Sequence, residues 1–183
     1  MWRSLNTVLY HGTISEISRV DVSLGKGRKD FGKGFYMSVT KHQAIGMMHK
    51  KYREAVRRSK TKNEAAFSKN LYQVTLNDRL FASLNIKIFE NADEEWLDFI
   101  LMCREKGGTP HTYDMVVGPT ADDDTAFCLK AYWDGFYGKV GSPEAKRILL
   151  NNLETDNLAI QYFIGKQDVA DMLIAEIFPV DWR

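Results

Sequence analysis

Apolar positions change their spacing several times along this 183-residue chain, and each change predicts an element. Residues 7–12, Thr-Val-Leu-Tyr-His-Gly, form a short apolar run that predicts a strand. Residues 14–33 have no periodicity and hold Gly25, Gly27 and Gly32 with the basic cluster Lys26, Arg28 and Lys29, which predicts a loop. Residues 34–39 predict a second strand. Thr40 followed by Gln43 has capping-box spacing, and Ala44, Met48, Tyr52, Ala55 and Val56 then keep helical spacing. Leu71 to Leu76 reads as a strand, and Leu84 to Phe89 as another. Asp93, Glu94 and Glu95 place acids in the first turn of a helix whose Trp96, Phe99, Ile100 and Cys103 share a face. Tyr113 to Gly118 predicts a buried strand closed by Pro119, and Asp122 to Asp124 start a helix that runs through Trp133. Ser142 and Pro143 supply an N-cap and an N1 proline for a helix to Asn151. Ala159 to Ile164 and Leu173 to Val180 predict the last two strands, with a short helix between them. Strands and helices interleave without the regular alternation of a doubly wound sheet, so the pattern predicts an α+β fold.

Composition narrows this picture slightly. The length suits one domain over residues 1–183 with a core of its own. Hydrophobic residues make up 44% and charged residues 27%, an ordinary balance for a globular protein, and the net charge of +1 confines any polyanion preference to local patches. One such patch is Lys50 to Lys62, where Lys50, Lys51, Arg53, Arg57, Arg58, Lys60 and Lys62 stand against Glu54 alone. Clustered cations of this kind either form a solvated helix face or contact phosphates. Cys103 and Cys128 are too few for a disulfide framework, and neither they nor His11, His42, His49 and His111 have metal-ligand spacing, so no metal is expected. There is no signal-like N-terminus and no apolar run of membrane-spanning length, and the expectation is a cytoplasmic protein with no membrane partner.

Two stretches carry residues that a buried strand would not select for packing: Leu9-Tyr10-His11-Gly12-Thr13, and Asp30-Phe31-Gly32-Lys33-Gly34-Phe35-Tyr36-Met37-Ser38. The glycines of the second do not make a known phosphate loop. A dinucleotide fingerprint counted from Gly25 meets Asp30 where it needs glycine, and a Walker loop would need Ser or Thr where Gly34 follows Lys33. Glycine beside an aromatic pair instead permits close approach of backbone or ligand. Together with Asp114 to Asp122 and the late Gln161-Tyr162-Phe163, these stretches resemble the ADP-ribosyltransferase superfamily, in its His-Tyr-Glu class that includes diphtheria toxin and the poly-ADP-ribose polymerases. The resemblance is closest to small bacterial domains of that class and covers about residues 8 to 173.

The resemblance implies a split two-sheet fold with an NAD cleft between the sheets. In that cleft His11 would hydrogen-bond a ribose hydroxyl, and Gly12 backbone groups would hold the nicotinamide carboxamide, with Thr13 beside them. Tyr36 would stack on nicotinamide with Gly34 and Phe35 around it, and Ser38 would support them by hydrogen bonding. The loop from Gly25 to Lys33 would lie, mobile and basic, near the diphosphate. The third catalytic position falls on Gln161 where the class has glutamate, and Glu176 competes for it. A glutamine can hold a 2′-hydroxyl but brings no charge to a developing cation. The implied activity is mono-ADP-ribosyl transfer from NAD to a macromolecular acceptor, in a toxin or phage-defence setting that would supply a neutralising protein partner. A non-catalytic nucleotide-binding module and an NAD glycohydrolase are the alternatives. The basic segment, with Phe136 and Tyr137 as stacking platforms, favours a single-stranded nucleic acid as acceptor.

Overall fold

The computed structural model describes residues 5–59, 66–121, 123–153 and 158–183. Seven strands form one hydrogen-bonded sheet: β1 (Val8–Thr13), β2 (Phe35–Ser38), β3 (Asn70–Leu76), β4 (Ile86–Ile88), β5 (Met115–Pro119), β6 (Ile160–Ile164) and β7 (Ile174–Val180). Their order is β4-β5-β6-β2-β1-β3-β7, and every neighbouring pair is antiparallel except β4 with β5. Among the described residues five α-helices join the sheet: α1 (Lys41–Arg58), α2 (Glu94–Lys106), α3 (Asp123–Trp133), α4 (Pro143–Asn152) and α5 (Gln167–Leu173). The architecture is therefore mixed α+β, as the spacing predicts. The two sheets expected from the resemblance are joined into one, through a junction that is narrow: β1 meets β2 at one register pair, Tyr10 with Ser38.

Side-chain alternation builds two cores, one on each face of the sheet. Leu9, Phe35, Met37, Met115, Val117, Tyr162 and Ile164 pack on the first face with Val169 and Leu173 of α5. Their neighbours Val116 and Phe163 turn to the second face, against Trp96, Leu97 and Ile100 of α2, Leu129 of α3 and Leu149 of α4. β2, β5 and β6 are thus buried on both sides, which is why they read as continuous apolar runs. The sheet edges are protected. β4 is three residues long and carries Lys87, ion-paired to Glu95, while β7 carries Pro179 and its pairing with β3 slips at Thr75/Leu76.

The helix starts follow the local signals. Thr40 Oγ1 accepts from Gln43 N at 3.2 Å, Asp93 Oδ1 from Trp96 N at 3.0 Å, and Ser142 Oγ from Ala145 N at 3.2 Å. The capping box at Thr40 is half made, because Gln43 Oε1 is buried without a hydrogen-bond partner among the described residues. α3 begins at Asp123, and the expected start at Asp122 lies outside the described residues, as do Lys60 and Lys62. A 3-10 turn over Asp78–Ser83, capped by Asn77 accepting from Arg79 N at 3.3 Å, has no counterpart in the apolar pattern. No helix among the described residues is long and apolar enough to cross a membrane.

Two glycines seat neighbouring elements. A Cβ on Gly12 would lie 1.9 Å from the Ala44 carbonyl oxygen, so α1 rests directly on β1 there. A Cβ on Gly34 would lie 2.4 Å from Ile164 O and 2.6 Å from a Phe163 ring carbon. The close approach that Gly34 permits is therefore to β6, not to a ligand as its place beside Tyr36 suggested. Gly46, exposed on α1, has no atom within 4 Å of its added Cβ. Gly34→Ala should lower unfolding stability by about 1–3 kcal/mol through overpacking, whereas Gly46→Ala should raise it by up to ~1 kcal/mol. Urea titrations of the two variants check this; equal effects would show that β6 yields freely at Gly34.

Candidate functional site

The strand order β6-β2-β1 sets Gln161, the Phe35–Ser38 segment and His11 on three adjacent strands, although they are far apart in sequence. They do not all share a face. Tyr36 stands opposite Phe163 and Ser38 opposite Gln161, on the face covered by α2 to α4. Phe35 turns to the other face, so Phe35 and Tyr36 cannot line one side of a ligand together. His11 stacks on Phe35 with ring centroids 4.5 Å apart and enters the seam between β1 and β2. Its Nδ1 lies 2.6 Å from Tyr36 O. A carbonyl only accepts, so Nδ1 carries the proton and Nε2 presents its lone pair. Burial pushes the imidazole pKa down to about 3, helped by Lys51 and opposed by the bond to Tyr36 O. His11 is thus a neutral acceptor at neutral pH. Thr13, also buried, accepts from Ser15 N through Oγ1 at 3.3 Å and shapes the exit from β1.

Tyr36 does more than offer a ring. Its hydroxyl donates to Gly32 O at 2.7 Å and accepts from Phe31 N at 3.0 Å, closing the turn that precedes its own strand. The ring packs at 5.0 Å from Phe163 and 6.4 Å from Phe31. Burial raises the phenol pKa well above its ordinary value, so the hydroxyl stays a donor. Stacking would use the ring alone, whereas here the hydroxyl holds the glycine turn in place. Phe31, fully buried, is the hub of the aromatic cluster and also contacts Phe89, Phe99 and Phe163.

Beneath this turn lies a buried carboxylate whose role no local pattern in the sequence signals. Asp30 Oδ1 accepts from Arg104 Nε at 2.9 Å and Nη2 at 2.5 Å, and Oδ2 accepts from Ala121 N at 2.9 Å and Gln161 Nε2 at 2.8 Å. Gln161, 8% exposed, thus spends its amide nitrogen on Asp30, with Pro119 O a further 3.5 Å contact. A glutamate at this position would face the Asp30 carboxylate at hydrogen-bond distance, and two carboxylates so close cannot both ionise at no cost. A glutamine, uncharged and able to donate, therefore fits these surroundings. Glu176, the competitor, is exposed on edge strand β7 opposite Thr75, with β1 and β3 between it and β2.

The glycine loop is pinned rather than mobile. Lys33 N donates to Gly108 O at 2.6 Å, Thr109 Oγ1 to Lys33 O at 2.9 Å, and His111 Nε2 to Phe31 O at 2.9 Å. Arg28, at φ +59°, donates through Nη1 to Glu105 O at 2.9 Å, a cation at the C-terminus of α2. The loop's exposed lysines nevertheless gather with α1. Lys29 is held below the ordinary lysine pKa, first by desolvation and then by Arg104, Lys50 and Lys26, with Asp30 opposing. Lys51, in the sequence only one charge of a basic patch, reaches into the seam. Its Nζ donates to Gly12 O at 2.7 Å and lies 3.5 Å from His11 Nε2. Helical spacing places it there: Ala44, Met48 and Lys51 fall on the face of α1 turned to β1.

Farther out, Arg53, Arg57 and Arg58 are exposed on α1. Phe136 is 79% exposed, while Tyr137 packs against the second core, so one of the two expected stacking aromatics is accessible. Burial pushes the Cys103 thiol up to about 12, which removes it as a nucleophile. Among the described residues no group of His, Cys, Asp and Glu is placed to hold a metal ion. Cavities of about 340 Å³ beside Trp182 and about 380 Å³ beside Arg28 and Trp133 are lined by neither His11 nor Tyr36. Residues 7–174 match the model of a family described as a protein of unknown function, DUF3990. No curated protein and no solved structure matches.

Gln161→Glu should destabilise the fold at pH 7 and regain stability on mild acidification, as one of the paired carboxyls takes up a proton. Denaturation midpoints at pH 7 and pH 5 test this, and an unchanged midpoint would place Gln161 away from Asp30. For His11 the folded pKa of about 3 lies below the unfolded value near 6.5, so the unfolded state binds the proton first as pH falls. Stability is lost on acidification from about pH 6.5 toward pH 3, by at most ~1.4 kcal/mol per pH unit from this group. His11→Gln should flatten that slope, and an unchanged slope would mean that His11 is solvated in the folded protein.

Proposed function

We propose that this chain, which belongs to the DUF3990 family, is a mono-ADP-ribosyltransferase that binds NAD at the β1–β2 seam and passes ADP-ribose to a macromolecular acceptor. One observation carries the reading. The four stretches that resemble the superfamily lie on or lead into four adjacent strands, β5-β6-β2-β1, and the first two stretches meet at the junction of the sheet where two strands share a single register pair. In this reading the narrow junction corresponds to the expected division between two sheets. His11 Nε2 is a lone-pair acceptor suited to a ribose hydroxyl, and the Tyr36 ring stands on the neighbouring strand. The bond between nicotinamide N1 and the ribose carbon breaks, and its electron pair leaves with neutral nicotinamide. The acceptor heteroatom forms the new bond to that carbon, and its proton passes to solvent. No carboxylate is offered at Gln161 to stabilise the developing cation, so catalysis rests on positioning and on an acceptor that needs little deprotonation.

The acceptor in this reading is a single-stranded nucleic acid. Arg53, Arg57 and Arg58 lie exposed along the last turns of α1, the same helix that places Lys51 in the seam, and Phe136 offers an open ring for a base. One contact favours a second reading. Gln161 is tied to Asp30, and a residue so engaged suits a nucleotide-binding module without turnover.

Nicotinamide release from NAD separates the readings when measured alone, with cellular protein, and with a single-stranded oligonucleotide. Release that requires the oligonucleotide is expected; release into water alone indicates a glycohydrolase, and binding without release indicates the module. Failure of calorimetry to detect NAD binding at millimolar ligand would remove all three. Replacing Arg53, Arg57 and Arg58 by Glu should abolish oligonucleotide modification while NAD affinity stays within about twofold. The salt slope of oligonucleotide binding should fall by about one unit for each phosphate left without its arginine.

A further inference from the structure

Lys51 is an ammonium without a counter-ion among the described residues. Its hydrogen-bond contacts, Gly12 O at 2.7 Å and His11 Nε2 at 3.5 Å, are both uncharged groups. Among the described residues no carboxylate lies within ion-pair distance of it. Glu54, three residues on along the same helix, turns to Arg58 at 3.7 Å instead. The charges that act on Lys51 are those of Lys29 and Lys26, which repel it, and desolvation adds to their effect. Lys50 and Arg104 act on Lys29 in the same sense, with Asp30 opposing. Placing a cation half-buried beside other cations is unfavourable unless an anion joins them. A lysine serving only to tether the Gly12 carbonyl would gain nothing from Lys26 and Lys29 nearby.

We propose that Lys51, with Lys26 and Lys29 of the glycine loop, is a phosphate-recognition site at the β1–β2 seam that takes the diphosphate of a small nucleotide. The choice of NAD as the natural source of that diphosphate rests on the reading above; the anion site itself does not. Three ammonium groups suit a compact, multiply charged group. The half-buried place of Lys51 against Gly12 suits the inside of a small molecule. A polymer backbone would instead meet Arg53, Arg57 and Arg58 farther along the exposed side of α1.

Binding also has a proton signature. The Lys51 pKa is pushed down to about 8, and a bound diphosphate stabilises the ammonium and raises it. Complex formation near pH 8 therefore takes up protons, and affinity falls as pH rises above about 8. Lys29, lowered in the same direction, adds a smaller part; neutral His11 does not titrate in this range.

Calorimetry with inorganic pyrophosphate, ADP-ribose and adenosine tests the site, at pH 7 and pH 9.5 and in two buffers of different ionisation enthalpy at pH 8. Pyrophosphate and ADP-ribose should bind while adenosine does not. Lys51→Gln should weaken both at least tenfold and remove most of the proton uptake, and Lys51→Arg should retain the affinity. Lys26→Gln with Lys29→Gln, on the exposed loop, should weaken pyrophosphate as well, and guards against a folding defect at position 51. Lys51-dependent pyrophosphate binding without binding of ADP-ribose or NAD would uphold the anion site and sink the NAD reading. Nicotinamide release in Lys51→Gln equal to wild type, with pyrophosphate silent in both, would overturn the site and leave the NAD reading standing. An oligonucleotide that binds through Lys51 when pyrophosphate does not would also overturn it.

Discussion

The buried carboxylate of Asp30 is the constraint around which the centre of the molecule is arranged. It accepts four hydrogen bonds: two from Arg104 near the end of α2, one from the backbone at Ala121 just before α3, and one from Gln161 on β6. A buried charge is tolerated when it is paired and its lone pairs are filled, and removing one partner of such a pair leaves an uncompensated charge worth about 3–5 kcal/mol. The glycine turn that follows Asp30 is therefore fixed on its inner side. Phe31 inserts into the aromatic cluster from the next position, and the Tyr36 hydroxyl closes the turn from above. Loop, strand and two helices thus share one polar anchor under an apolar lid.

The same anchor sets the chemistry open to β6. A glutamine in place of a glutamate looks, residue by residue, like the loss of a catalytic group. Beside Asp30 it is instead the side chain that can sit there uncharged and donate. Asp30 and Gln161 form a hydrogen-bonded unit whose negative charge sits on Asp30. Its four donors leave it already neutralised, chiefly by Arg104. The positive charge of the seam is the opposite case: Lys51, Lys26 and Lys29 repel one another, and among the described residues Asp30 is felt at Lys29 but no carboxylate pairs with Lys51, so the field at the β1–β2 junction favours an anion.

Much of the scaffold was legible along the chain because the signals are local. Thr40 and Ser142 cap helices where their spacing predicts, since each cap bond spans three residues, and Asp93, read as a first-turn acid, is the cap one position earlier. β5 and β6 read as apolar runs because both of their faces are buried. Short elements without an apolar period, such as the 3-10 turn over Asp78–Ser83, were not legible, because a side-chain cap and not a buried face specifies them.

The candidate site divides along the same line. The sequence by itself determined the elements, their order, the two glycine-bearing motifs and the presence of a basic stretch. Only the tertiary structure decided that Gly34 serves β6, that the basic loop is pinned to α2 and the segment after it, that Phe35 and Tyr36 face opposite ways, and that Lys51 of the basic stretch enters the seam. The contacts responsible join residues 39 positions apart for Lys51 with Gly12, 74 for Arg104 with Asp30, and 131 for Gln161 with Asp30. A hydrogen bond or a charge pair across such a distance leaves no periodicity in the chain; it exists only once the sheet has set its strands side by side.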